Sequence, residues 1–179
     1  MKKYEFTGET KLVDTSRGTI TLHRIKAKIA FGIAKVDDLG GWIEKEENLS
    51  HEKNAWVGGD AQVYGDAWVG GNAQVGGDAQ VYGDAWVGGN ARVYGDARVF
   101  SSSHLLVIGP IGSRSAFTTF FRNKNREISV KCGCFLGLID AFLQKVSKTH
   151  DESKYALVYR AAVEVAKAHI DLTGGDDDA

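Results

Sequence analysis

The residues best suited to chemistry lie between Gly109 and Arg122, where Gly109-Pro110-Ile111-Gly112-Ser113-Arg114-Ser115 is followed by Thr118, Thr119 and Arg122. Glycines let backbone N–H groups converge on an anion, hydroxyls add donors, and an arginine grips a phosphate bidentately. A small phosphorylated ligand or nucleotide is therefore the expected occupant. Ser113, Arg114, Ser115, Thr118, Thr119 and Arg122 would bind it, with Lys124 and Arg126 extending the positive surface. The stretch is not a P-loop, because the terminal Gly-Lys-Ser/Thr is missing. The competing reading is a tight turn whose glycines serve geometry and whose Arg114 faces solvent.

Other reactive side chains are sparse. Cys132 and Cys134 stand one residue apart on an expected strand, Glu127–Phe135, and would face the same side. Two thiols fall short of the four ligands of a structural zinc site, so they read as free thiols in a reducing compartment, with no metal or cofactor expected. His51 and His104 flank the most regular part of the chain.

That regular part, Ala55 to Ser102, must position everything else. It is eight consecutive six-residue units beginning Ala-x-Val, of which the first seven close on Gly followed by Asp or Asn. Residues 61–78 and 79–96 differ only at Gln74/Arg92 and Gly76/Tyr94, so three units make one coil. A fixed short period implies a solenoid whose repeats bury their apolar faces by stacking. Ala and stiff Val point inward, while Gly and Asp/Asn form the corners.

Three sides per coil sort the outward residues into three faces. One carries Gln62/Tyr64, Gln80/Tyr82 and Arg98/Phe100; a second, Trp68/Gly70 and Trp86/Gly88; a third, Trp56/Gly58, Gln74/Gly76 and Arg92/Tyr94. Trp68 and Trp86 are expected to stack on a flat face, forming with Tyr64 and Tyr82 an aromatic surface suited to an interface. Asn48 and Asn54 share the register of Asp60, so the first coil starts early, distorted, with His51 in the place of a Val and turned outward.

The V-x-G-D-A-x spacing resembles the hexapeptide repeat of left-handed parallel β-helix proteins, the scaffold of many bacterial acyltransferases. The resemblance implies the left hand, assembly as a homotrimer through prism faces, and, for a transferase, a histidine base for which His51 and His104 are the candidates. The repeats contain neither a histidine nor an inserted active-site loop. The layout also resembles bacteriophage and prophage proteins, on Arg24–Ala27, Leu39–Ser50, the G-D-A-x-V repeats, Ile108–Arg114 and Cys132–Phe135. That likeness implies origin more than activity.

The ends differ from the repeat. Tyr4–Val13 and Thr19–Phe31 read as a hairpin capping the first coil, with a bulge near His23 and Arg24. Leu105–Ile108, Ala116–Arg122 and Glu127–Phe135 read as strands, followed by two amphipathic helices, the second capped by Asp151 or Ser153. The expected fold is mainly β: a left-handed, three-sided parallel β-helix with an N-terminal β cap (1–41), a solenoid (42–103), a C-terminal ββαα module (104–173) and a disordered tail (174–179).

A net charge of −1 and the lack of a basic run argue against nucleic acid as partner, and no stretch approaches a membrane span. With no signal-like N-terminus, the expected location is cytoplasmic, that of the host if the chain is phage-encoded. The expected function is non-catalytic sequestration of a phosphorylated ligand such as a host immune signal. Two alternatives are a hexapeptide-repeat acyltransferase and a protein inhibitor acting through the Trp face.

Overall fold

The computed structural model describes residues 1–174. The N-terminal arm comprises β1 (Tyr4–Thr15), β2 (Gly18–Ala27) and β3 (Leu39–Ile43). Eight two-residue strands follow: β4 (Trp56–Val57), β5 (Gln62–Val63), β6 (Trp68–Val69), β7 (Gln74–Val75), β8 (Gln80–Val81), β9 (Trp86–Val87), β10 (Arg92–Val93) and β11 (Arg98–Val99). Parallel stacking is β3-β5-β8-β11 on one face, β4-β7-β10 on another and β6-β9 on the third. Gln62 faces Gln80 and Trp68 faces Trp86, the register that an eighteen-residue coil requires. The chain is thus a three-sided parallel β-solenoid.

Physical causes of this shape are local. Every inward Ala and Val from Ala55 to Val99 is buried, and the seven corner glycines from Gly59 to Gly95 have φ between 61° and 69°. That left-handed conformation is strained for any residue with a Cβ. Along one corner Asn54, Asn72 and Asn90 hydrogen-bond in series at 3.1 and 3.3 Å.

The first coil departs from its expected form. Leu49, not His51, takes the Val place, since it bridges Val69. Leu49/Val69 and Trp42/Gln62 are each 20 residues apart, against 18 for Trp56/Gln74, so two extra residues occupy the corner after Leu49. His51 falls in that corner and is half-buried rather than turned outward. It stacks on Tyr4 at 4.2 Å, its Nε2 lies 2.7 Å from Glu46 Oε1, and its Nδ1 accepts from the Lys3 N–H at 3.3 Å.

The hairpin caps by extension. β2 pairs antiparallel with β3, so one prism face continues as β1-β2-β3-β5 and its outer edge moves to β1. Leu22 and Ile25 are both buried although their parity differs. Ile25 belongs to the solenoid core and Leu22 does not, and beside them the register shifts, with Phe6 facing Ile25 but Thr10 facing His23, which places two extra residues on β1. Gly8, with φ 92°, makes this bulge.

At the other end, Glu127–Phe135 is not one strand. It splits into β14 (Ile128–Cys132) and β15 (Phe135–Leu138), which join β12 (Leu105–Ile111) and β13 (Ala116–Arg122) in an antiparallel sheet ordered β12-β13-β14-β15. Gly133, with φ 56°, turns the chain. Cys134 is consequently exposed at the turn, off the strand that carries half-buried Cys132, and both thiols are free.

Strand alternation gives this sheet two jobs. Leu105 and Phe121 belong to the solenoid core, whereas Phe120 and Val130 belong to a second core with α1 (Ile139–His150) and α2 (Lys154–His169). The solenoid's last edge is closed by β13: the Arg92 N–H donates to Thr119 Oγ1 at 3.0 Å, and Ala97 bridges Asn123. Phe142 and Val146 of α1 meet Tyr159 and Val163 of α2 at helical spacing. Ser153 is the N-cap residue of α2 by position, without a side-chain hydrogen bond, and Asp151 ends α1. Of the expected tail, Gly174 is described and residues 175–179 lie outside the described residues. Among the described residues no helix is long and apolar enough to cross a membrane.

Candidate functional site

The turn joining β12 to β13 is held by the Ser115 N–H donating to the Gly112 carbonyl at 3.2 Å. It presses directly on α2. A Cβ on Gly112, where φ is 75°, would come within 1.8 Å of the Tyr159 hydroxyl oxygen, so only glycine fits. Between this turn, the β14–β15 turn and α1 opens a cleft of about 190 Å³.

Phe135, Phe142 and Tyr159 give the cleft an apolar floor, and its lining carries Arg114 and Lys145 with no carboxylate. Two cations beside low-dielectric walls, with no carboxylate in the lining among the described residues, make a positive local field. Lys145 Nζ lies 5.9 Å from the Phe135 ring, and His150 tilts over Tyr159 at 5.7 Å. Beneath, Thr118 Oγ1 donates to Cys132 Sγ at 3.3 Å, and Sγ lies 3.9 Å from the Tyr159 hydroxyl.

Burial pushes the Tyr159 phenol up to about 12; Cys132 adds to the shift and Arg114 opposes it. Between pH 10 and 12 the unfolded chain has lost this proton while the folded chain retains it. Folding stability that is intact below pH 10 is therefore lost as pH rises through the folded value. Spectrophotometric titration at the tyrosinate band should show a late-titrating phenol near pH 12, absent in Tyr159→Phe.

The expected anion-binding residues are only partly brought together. Ser113 and Arg114 line the cleft, while Ser115, at φ 46°, is exposed in the turn and outside the lining. Thr118 is buried under the floor. Thr119 points the opposite way, into its bond with the Arg92 N–H. Arg122 is fully buried at the far end of β13, stacked 4.9 Å from the Phe100 ring and donating to the Gly174 carbonyl at 3.1 Å. Seven residues of extended strand span roughly 20 Å, so Arg114 and Arg122 cannot share a small ligand. Lys124, in the turn beyond Arg122, pairs with Asp96 at 3.5 Å, and Arg126 is exposed there.

Lys145, Tyr159 and His150 were not legible as site residues. One signal was available: Lys145 and Thr149 interrupt the stripe that Phe142 and Val146 begin at i, i+3, i+4 spacing. Neither candidate histidine base reaches the cleft. His51 secures the first coil, and His104 is buried with Nδ1 accepting from the Phe100 N–H at 3.4 Å.

The aromatic surface also differs from expectation. Trp68 and Trp86 meet edge to face, with centroids 5.1 Å apart at 85°, instead of stacking flat. Trp68 folds over Gly70, whose missing side chain leaves the room, and Trp86 stands 65% exposed. The stacked pair is Tyr64 and Tyr82, at 5.0 Å and 11°, and the column continues to Phe100 at 5.2 Å.

Three stretches, residues 61–77, 73–89 and 91–105, match the family described as YdcK Beta solenoid repeat. They cover the regular coils from Ala61 and run on to Leu105, where β12 begins, and account for a solenoid of about three turns. None of the curated proteins matches the chain.

Proposed function

We propose that this is a non-catalytic binding protein that sequesters a small phosphorylated ligand in the Arg114 cleft. The reading rests on one observation: a lining that holds Arg114 and Lys145 against an apolar floor, with no carboxylate among the described residues. The hydroxyls of Ser113 and Thr149 supply further donors there. About 190 Å³ accommodates a phosphoryl group and part of its carrier, the remainder extending past the rim. The phage-like layout supports a setting in a host cell, with a nucleotide signal of host defence as the ligand class. Engagement of His51 and His104 in packing favours capture over acyl transfer.

The test is to incubate the protein with a nucleotide mixture, denature it and analyse what is released. Intact ligand is expected; a chemically altered one would establish an enzyme, and none would end the small-molecule reading. Arg114→Ala and Lys145→Ala should each weaken retention by about tenfold to a hundredfold, the worth of a charged hydrogen bond of about 1.5–3 kcal/mol.

A further inference from the structure

One prism face ends, through β3 and β2, on an edge that no described strand pairs. β1 has a single neighbour in its sheet, β2, so its other side is open. Gly8, at φ 92°, and the register shift between Phe6 and Thr10 break the strand near its start, which leaves Thr10 to Thr15 as the regular part of that edge. Such an edge presents a row of unpaired N–H and C=O groups, a template for another strand.

The sheet decides which backbone groups face outward. The Trp42 and Glu44 N–H groups donate to the Ala61 and Val63 carbonyls on the β5 side, so Ile43 between them points to β2. Ile43 faces His23; the next residue, Leu22, therefore turns to β1, where it faces Lys11. Along an antiparallel ladder this direction alternates from residue to residue. Lys11, Val13 and Thr15 thus bond to β2, while Thr10, Leu12 and Asp14 turn their N–H and C=O groups to the open side. The side chains of these three share one face and are exposed, Leu12 at 73%.

Native edges are commonly guarded by an outward charge or a proline. Here Thr10 to Thr15 holds no proline, and its two charges are drawn back onto the chain. Lys11 Nζ lies 4.5 Å from the Trp42 ring, two strands inward, and Asp14 Oδ1 accepts from Thr19 Oγ1 of β2 at 2.7 Å.

A second copy of the same stretch fits this edge. A two-fold axis through Leu12, perpendicular to the sheet, keeps every residue on its own face and sets Leu12 opposite Leu12, Thr10 opposite Asp14 and Lys11 opposite Val13 of the copy. A register centred between residues would instead oppose different faces. Outward-directed groups then meet outward-directed groups, so that Leu12 with Leu12, and Thr10 with Asp14 on either side, exchange N–H···O=C bonds. The exposed leucines cover one another and no like charges stand opposite. Centring on Lys11 would pair two lysines, and centring on Val13 would set each Leu12 against an Asp14 carboxylate.

We propose that β1 pairs antiparallel with β1 of a second copy about Leu12, joining two six-stranded sheets across a two-fold axis. The inference does not depend on the phosphate reading of the Arg114 cleft. Sedimentation equilibrium of the full chain, from micromolar to millimolar concentration, tests it. Wild type should approach an even multiple of the chain mass. Leu12→Pro removes the central N–H where an edge strand tolerates proline, and Leu12→Lys opposes like charges while keeping every backbone group. Each should halve the mass and retain the far-ultraviolet dichroism of wild type. Thr21→Lys puts the same charge on the same face one strand further in, since Thr21 faces Leu12, and should leave the mass unchanged. A wild-type mass equal to one chain or another odd multiple, an undiminished mass in Leu12→Lys, or dissociation by Thr21→Lys would each overturn the proposal.

Discussion

Asn48→Ala is expected to lower the free energy of unfolding by about 2–4 kcal/mol, because buried polar groups left without partners cost about 1–3 kcal/mol each. Asn48 is fully buried in the first coil, at the corner that precedes Leu49. Its Nδ2 donates to the carbonyls of Gly65 at 3.1 Å and Ala67 at 2.8 Å, and its Oδ1 accepts from the Lys45 N–H at 2.9 Å. Alanine strands all three backbone groups where the solenoid begins, next to the packing of Tyr4 and Leu49. The matched control is Asn72→Ala, in the exposed asparagine series, which should change stability by less than about 0.5 kcal/mol. Urea unfolding with an unchanged m-value measures both; equal effects would show that the buried network contributes nothing particular to the first coil.

Gly112→Val is expected to cost about 2–4 kcal/mol, combining left-handed backbone strain with overpacking against α2. The new Cβ would lie 1.8 Å from the Tyr159 hydroxyl at a φ of 75°, so either the turn or α2 must move. Either movement also displaces Arg114 from the cleft, and retention of the phosphorylated ligand proposed above should fall with stability. Gly133→Ala separates strain from crowding: φ is 56° there and nothing lies within 4 Å of the added Cβ, so only about 1 kcal/mol is expected. Thermal unfolding together with near-ultraviolet dichroism of Tyr159 would distinguish them. A Gly112→Val protein as stable as Gly133→Ala would mean that the turn is not wedged against α2.

The two substitutions mark where legibility ends. Gly112 reads as a turn glycine from the sequence, and the turn is there, but the need for glycine comes from Tyr159, forty-seven positions later. Asn48 reads as a corner residue in register with Asp60, yet Asp60 is exposed and Asn48 is buried. The site divides in the same way. Arg114 reads as a candidate from its glycine and serine neighbours, whereas Lys145 joins it in the cleft lining only because α1 folds back over the sheet. Thr119 and Arg122 read with Arg114 as one polar cluster along β13, yet alternation and length send them to different surroundings.

What the sequence by itself determined is the solenoid: its period, its three faces, the inward Ala and Val, and the corners at Gly. In a repeat each unit packs on a near copy of itself, so the period is the register and local pattern suffices. What only the tertiary structure decided is everything that depends on unlike segments meeting. The corner after Leu49 is set by the seat of Tyr4 and Lys3, the break at Gly133 by the sheet that follows, and the Arg114 cleft by a helix brought against a distant surface. Pattern tells which residues share a face; it does not tell which face will be covered, and by what.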